Sequence, residues 1–153
     1  MRLVRYFGHT EYSYAMRRQL LINIPVSDPK KSKRFFEEVG FSLNKELTDE
    51  QATCFDIDDN IKIALLPIDH FMSAINNHEV ADTSKCNEVL LSIGVTGREE
   101  VDIIMTKAIA AGGNKLSEPT DYGSIYGATF ADPDGHQWNI YYMEPTKNLP
   151  KRP

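Results

Sequence analysis

Apolar and polar residues alternate along 19–26 (QLLINIPV), with Ile22, Ile24 and Val26 on one side. A period of two in β-favouring residues predicts a strand buried on one face. The period then changes. Asp28 followed by Pro29 suits an N-cap and first helical position, Phe35, Phe36 and Val39 recur at helical spacing, and Gly40 supplies the stop. Three strand-like runs follow at 41–47, 52–57 and 61–66, the last two joined by the turn residues Asp58, Asp59 and Asn60. Strand, helix and three strands make a βαβββ unit over 19–67.

The same order restarts at Glu88 with EVLLSIGV, where Leu91, Ile93 and Val95 repeat the alternation of the first strand. Thr96 with Glu99 reads as a capping box, Val101, Ile104, Met105 and Ala108 form a helical stripe, and Gly112 and Gly113 end it. Strands are expected at 115–118, 124–131 and 136–143, with Asp132, Pro133, Asp134 and Gly135 turning the last hairpin. Between the units, 68–87 reads as a short helix around Phe71, Met72 and Ile75, then a polar linker. The expected fold class is α+β: two βαβββ modules, 19–67 and 88–145, packed as one domain. An extension over 1–18 reads as a flexible tail, an alternative start or an arm on a partner, and 146–153 as a C-terminal tail.

Composition narrows the function classes. With 153 residues, 41% hydrophobic and 25% charged, the chain is long enough for a sizeable core. A net charge of −5 gives no broad basic field for a phosphate backbone, and Lys30, Lys31, Lys33 and Arg34 form only a local cluster, so nucleic acid is not an expected partner. No apolar run is long enough to span a bilayer, and no secretory signal precedes the first strand. Cys54 and Cys86 lack zinc spacing and disulfide density, which fits a reducing cytoplasm.

Markers of several chemistries are absent from the sequence: a GxSxG elbow, a phosphate loop and a dinucleotide fingerprint. Cys54, near Asp56, reads as a strand-packing thiol, and Cys86 follows Lys85 with no assignable base. His136 reads as a local hydrogen-bonding group before a catalytic one; His9, His70 and His78 form no ligand pair. The stretch DYGSIYG carries Tyr122 and Tyr126, which either shape a ligand mouth or cap the sheet edge.

The order of VSDPKKSKRFFEEVGF after the first strand and FADPDGHQWNIYYMEP after the second helix resembles the vicinal oxygen chelate superfamily over 19–145, the glyoxalase, bleomycin-resistance and extradiol-dioxygenase type. The resemblance implies curled mixed sheets forming a small-molecule cleft, helices packed outside, and commonly a homodimer. It also implies four metal-ligand positions, which here hold Leu21, Ala64, Leu90 and Asn139. Aliphatic side chains cannot coordinate a cation, so no metal cofactor is expected unless displaced donors such as Glu88, His136 and Asn139 supply it. A two-residue slip on the fifth strand would bring Glu88 into the cleft as a candidate catalytic carboxylate.

Alternation assigns Asn23, Lys62, Glu88, Ser92, Asn139 and Tyr141 to the cleft side, with Tyr122 and Tyr126 near its mouth, as candidate ligand contacts. Several hydrogen-bonding groups on an apolar floor suit a small polar organic molecule. The expected function is binding of such a molecule without the usual metal centre. The alternative is a metal-dependent lyase, isomerase or dioxygenase with a rearranged site.

Overall fold

The computed structural model describes residues 18–145; the expectations for 1–17 and 146–153 lie outside the described residues. The first module runs β1 (Leu20–Val26), α1 (Pro29–Val39), β2 (Ser42–Leu43), β3 (Thr53–Asp58) and β4 (Ile61–Pro67), with sheet order β1-β4-β3-β2. Helix α2 (Ile68–Ala74) follows. The second module runs β5 (Leu90–Gly94), α3 (Arg98–Ala110), β6 (Asn114–Lys115), β7 (Thr120–Asp121), β8 (Ile125–Ala131) and β9 (Gln137–Met143). Its order is β5-β9-β8-β6, with β7 also on β8. In each sheet the first strand runs parallel to the last and the remaining pairs are antiparallel. The α+β class and the repeated βαβββ order read from the sequence are both present.

Local chemistry explains the first helix. The Asp28 carboxylate accepts the N–H groups of Lys30 and Lys31, both at 3.1 Å, and Pro29 takes the position where a missing donor costs nothing. At the other end Gly40 sits at φ +110, a conformation that penalises any side chain, while its N–H and that of Phe41 return to Phe36 O.

Three local expectations are corrected. Strand β2 ends at Leu43, short of the expected 41–47, because Asn44 turns the chain: its Oδ1 accepts the N–H groups of Glu46 and Leu47. In place of the strand expected at 115–118, β6 and β7 stand on either side of 116–118, because Leu116 and Ser117 both donate to Thr129 O, a bulge that lifts the chain off β8 before Pro119. The capping box uses Glu100 in place of Glu99. Helix α3 starts one residue later than read, Gly97 takes the cap, and the Glu100 carboxylate accepts Thr96 N–H at 2.8 Å and its hydroxyl at 2.7 Å.

The two sheets share one core. Phe36 is fully buried, and its ring centroid lies 5.7 Å from that of Phe55 on β3 and 5.3 Å from that of Trp138 on β9, so one side chain joins both modules. Phe35 reaches Phe130 on β8, and α1 packs against α3. Ile24, Val26, Ile63 and Leu65 line this core from the first sheet, and Leu91, Phe130, Trp138 and Ile140 from the second. Because both helix-bearing faces look into that core, the opposite faces are left free for chemistry. Among the described residues no helix is long and apolar enough to cross a membrane.

Truncating Phe36 leaves a cavity at the meeting point of both sheets. Phe36→Ala is expected to cost about 3–5 kcal/mol, read as a lower urea midpoint at unchanged slope.

Candidate functional site

Pairing register builds the open face of the second sheet. Ser92 on β5, Asn139 on β9 and Thr129 on β8 form one row across three strands. Gly94, Tyr141 and Gly127 form the next row. Ser92, Asn139, Thr129, Tyr141 and Gly127 of these rows, together with Ser117, Tyr122 and Met143, line a hollow of about 400 Å³. Asn139 Nδ2 donates to Ser92 Oγ at 3.3 Å, which fixes the amide in the floor. A Cβ at position 94 would stand 3.2 Å from the Tyr141 hydroxyl oxygen and 3.3 Å from Cζ, so glycine there lets the phenol lie close over β5.

The expected contacts Ser92, Tyr122, Asn139 and Tyr141 are therefore brought together. Ser117, Thr129 and Met143 join them without having been read from the sequence. Their signal was the phase of β8 against β9: once Asn139 faces outward, its partner Thr129 must do so too.

Asn23 and Lys62 belong to the open face of the other sheet and do not line this hollow. There Lys62 Nζ lies 2.8 Å from Asp56 Oδ1, and Asn44 donates to the same carboxylate. Those hydrogen bonds, Lys62 first and Asn44 second, hold the Asp56 carboxyl below its usual range. Cys54 faces Ala64 across the β3–β4 pairing and is buried. Burial, aided by the charges of Asp49 and Asp56, pushes its thiol up and away from the reactive thiolate form.

Tyr126 is corrected. It stands opposite Tyr142, in phase with Ala128 and Phe130, on the helix side of the sheet. Its hydroxyl donates to Asp102 Oδ1 at 2.8 Å, and the Arg98 guanidinium lies 5.1 Å from its ring centroid. Of the alternatives for the tyrosine stretch, Tyr122 lines the hollow and Tyr126 packs on α3.

Glu88 is likewise not free on the floor. Its Oε1 lies 2.5 Å from His136 Nδ1, while His136 Nε2 lies 2.7 Å from Pro25 O in the first module. Both imidazole nitrogens face acceptors, so each must carry a proton for both contacts to be hydrogen bonds. Burial works to lower the His136 pKa, but it is outweighed by the Asp132 charge, the Pro25 carbonyl and Glu88, and the net displacement is upward.

Asp132 closes the same junction. Its carboxylate accepts the N–H groups of Asp134 and His136 and the Trp138 indole, all at 3.0 Å, and burial raises its own pKa. Asp134 reaches the first module, accepting the backbone N–H and hydroxyl of Ser27 and the hydroxyl of Ser32. The DPDG turn thus serves as a hairpin and as a fastener between modules.

The donor set does not fit a divalent cation. Leu21 and Leu90 are about half exposed on their open faces, Ala64 is buried, and none carries a donor atom. Asn139 alone offers a neutral amide, where roughly three or four donors are needed to hold a catalytic cation. Among the described residues no group of three or more His, Cys, Asp and Glu side chains converges.

The family profile of the Glyoxalase/Bleomycin resistance protein/Dioxygenase superfamily matches residues 18–140. No curated protein sequence matches the chain. Among solved structures, a hypothetical protein from S. aureus is similar at 30% identity and TM-score 0.70, over 84% of this chain and 95% of its own. A glyoxalase/bleomycin resistance protein/dioxygenase family enzyme from Burkholderia phytofirmans is similar in fold at 21% identity and TM-score 0.69, over 83% and 99% of the two chains. A lactoylglutathione lyase from Agrobacterium tumefaciens is similar in fold at 16% identity and TM-score 0.61, over 80% and 91%.

The histidine junction makes stability depend on pH. With the His136 pKa raised above 6.5, its stabilising charge is fully present below that value and is lost as pH rises through the higher folded value. Titration of the imidazole by NMR should place the folded midpoint above 6.5, and Glu88→Gln should lower it. A wild-type midpoint below 6.5 would refute the doubly protonated ring.

Proposed function

The chain belongs to the glyoxalase/bleomycin resistance protein/dioxygenase superfamily, and we propose that it binds a small polar organic molecule without the family's usual metal centre. The observation that carries this reading is the contrast between two sets of residues. The metal-ligand positions Leu21, Ala64 and Leu90 offer no donor, while Ser92, Thr129, Asn139, Tyr122 and Tyr141 give the second sheet a floor of hydrogen-bonding groups. Such a floor orients a ligand by its polar edge while Met143 and the tyrosine rings cover its apolar surface.

The competing reading is a lyase, isomerase or dioxygenase with a rearranged centre built from Glu88, His136 and Asn139. It is the weaker one, because His136 spends both ring nitrogens on Glu88 and Pro25 and has no lone pair left for a metal. Asn139, for its part, bonds Ser92 in the hollow.

The reading includes a homodimer. Leu21, Leu90 and Met143 are each about half exposed on the open sides of the two sheets, and a second copy laid across these faces would cover them. It also includes a reducing cytoplasm, where Cys54 and Cys86 remain thiols.

Two measurements test this reading. Elemental analysis of protein purified without chelators should find divalent metal well below one equivalent; a full equivalent would overturn the metal-free assignment. Sedimentation should show a dimer, and Leu90→Glu, which puts a carboxylate on the apolar face, should shift it to monomer.

A further inference from the structure

We infer that the hollow of the second sheet selects an uncharged, planar compound carrying a carboxamide, and disfavours the same ring when it carries a net charge. This rests on the proposal that the hollow is the ligand site, and it names the class of ligand that site takes.

The first observation is the character of the lining. Ser92, Ser117, Thr129, Asn139, Tyr122 and Tyr141 supply its polar groups, and among the described residues none that lines the hollow is an acid, a lysine or an arginine. The second is the state of the charges that flank the lining along the chain. Beside Ser117, Lys115 pairs with Glu118. Beside Tyr122 and Met143, Asp121 and Glu144 both pair with Arg98. Ahead of β5, which carries Ser92, Glu88 pairs with His136. A charged ligand would leave water to meet the neutral dipoles of the lining.

The donors and acceptors that remain define the complementary shape. With Asn139 Nδ2 committed to Ser92 Oγ, Asn139 Oδ1 and the Ser92 hydroxyl proton meet no other partner among the described residues, which sets an acceptor and a donor side by side. The Ser117 oxygen accepts Thr129 N–H at 2.9 Å, which leaves its own proton to donate. An adjacent acceptor and donor match a carboxamide, and the Tyr141 ring lying close over Gly94 offers a face for a flat ring. Because the hollow opens to solvent on one side, a bound charge keeps part of its hydration. The discrimination is then expected at about tenfold, well short of the cost of full burial.

Matched fragments test this in solution. Nicotinamide and benzamide are neutral, nicotinate and benzoate carry the same rings with a carboxylate, and 3-picolylamine and benzylamine carry them with an ammonium. Each is titrated into the isotopically labelled full chain while the backbone amide signals of Ser92, Thr129 and Asn139 are followed. The two carboxamides should shift these signals at about tenfold lower concentration than either charged series. Asn139→Asp, which keeps the side-chain shape and adds a charge, should reverse the order of amide and amine. Charged fragments that shift these signals as readily as the amides would overturn neutral selection while leaving ligand binding intact. An unchanged order in a folded Asn139→Asp variant would overturn it as well. If no fragment of any series moves these signals, the hollow is not the ligand site and both proposals fall.

Discussion

A polar group removed from water must find a partner inside the protein, and at the start of β9 that requirement joins the two halves of the molecule. Asp132 and His136 are both almost wholly buried; Asp132 finds its partners within its own hairpin, whereas the His136 ring must reach outside it. His136 uses Glu88 ahead of β5 and a carbonyl at the end of β1, while Asp134 takes the hydroxyls of Ser27 and Ser32. Among the described residues no buried side-chain nitrogen or oxygen is left without a partner. The aromatic core around Phe36 supplies the apolar area, and the polar junction fixes how the halves meet, because displacing either one would strand charged groups without water.

From that junction the division of labour between sheet faces follows. With β1 and β9 held end to end, the alternate residues Ile24, Val26, Trp138 and Ile140 are committed to the shared core, so Asn139 and Tyr141 must point the other way. The site is thus a by-product of strand phase. The same phase turns Tyr126 toward α3, where Asp102 and Arg98 hold it, although it lies only four residues from Tyr122 in the hollow.

Much of the fold was legible in the sequence because it depends on local signals. Asp28–Pro29 and Gly40 bound the first helix, the two alternating runs mark β1 and β5, and DPDG marks the last hairpin. What was not legible depends on distant partners. Nothing near Glu88 announces His136, 48 positions later, and nothing in DPDG shows that Asp134 will meet Ser27, 107 positions earlier. The candidate site was read in part for the same reason. Ser92, Asn139 and Tyr141 sit on strands with clear alternation, whereas β8 (IYGATFA) mixes small and large residues and hides the phase of Thr129 until its partner is known. The leucines at the metal-ligand positions were visible at once, since their chemistry needs no neighbour to interpret it.

The aromatic bridge also bears on how the chain is made. Phe36 is synthesised about a hundred residues before Trp138 and some twenty before Phe55, so during translation the back of α1 meets only part of its final cover. Until β9 emerges, the nascent first module presents Phe36, short of its Trp138 cover, to whatever is nearby. The long span of the Ser27–Asp134 contact makes closure a late event with a high loop-entropy cost. A protein whose halves look like copies of one another is therefore obliged to finish folding as a single unit, and the interval before that is when a holding chaperone would matter most.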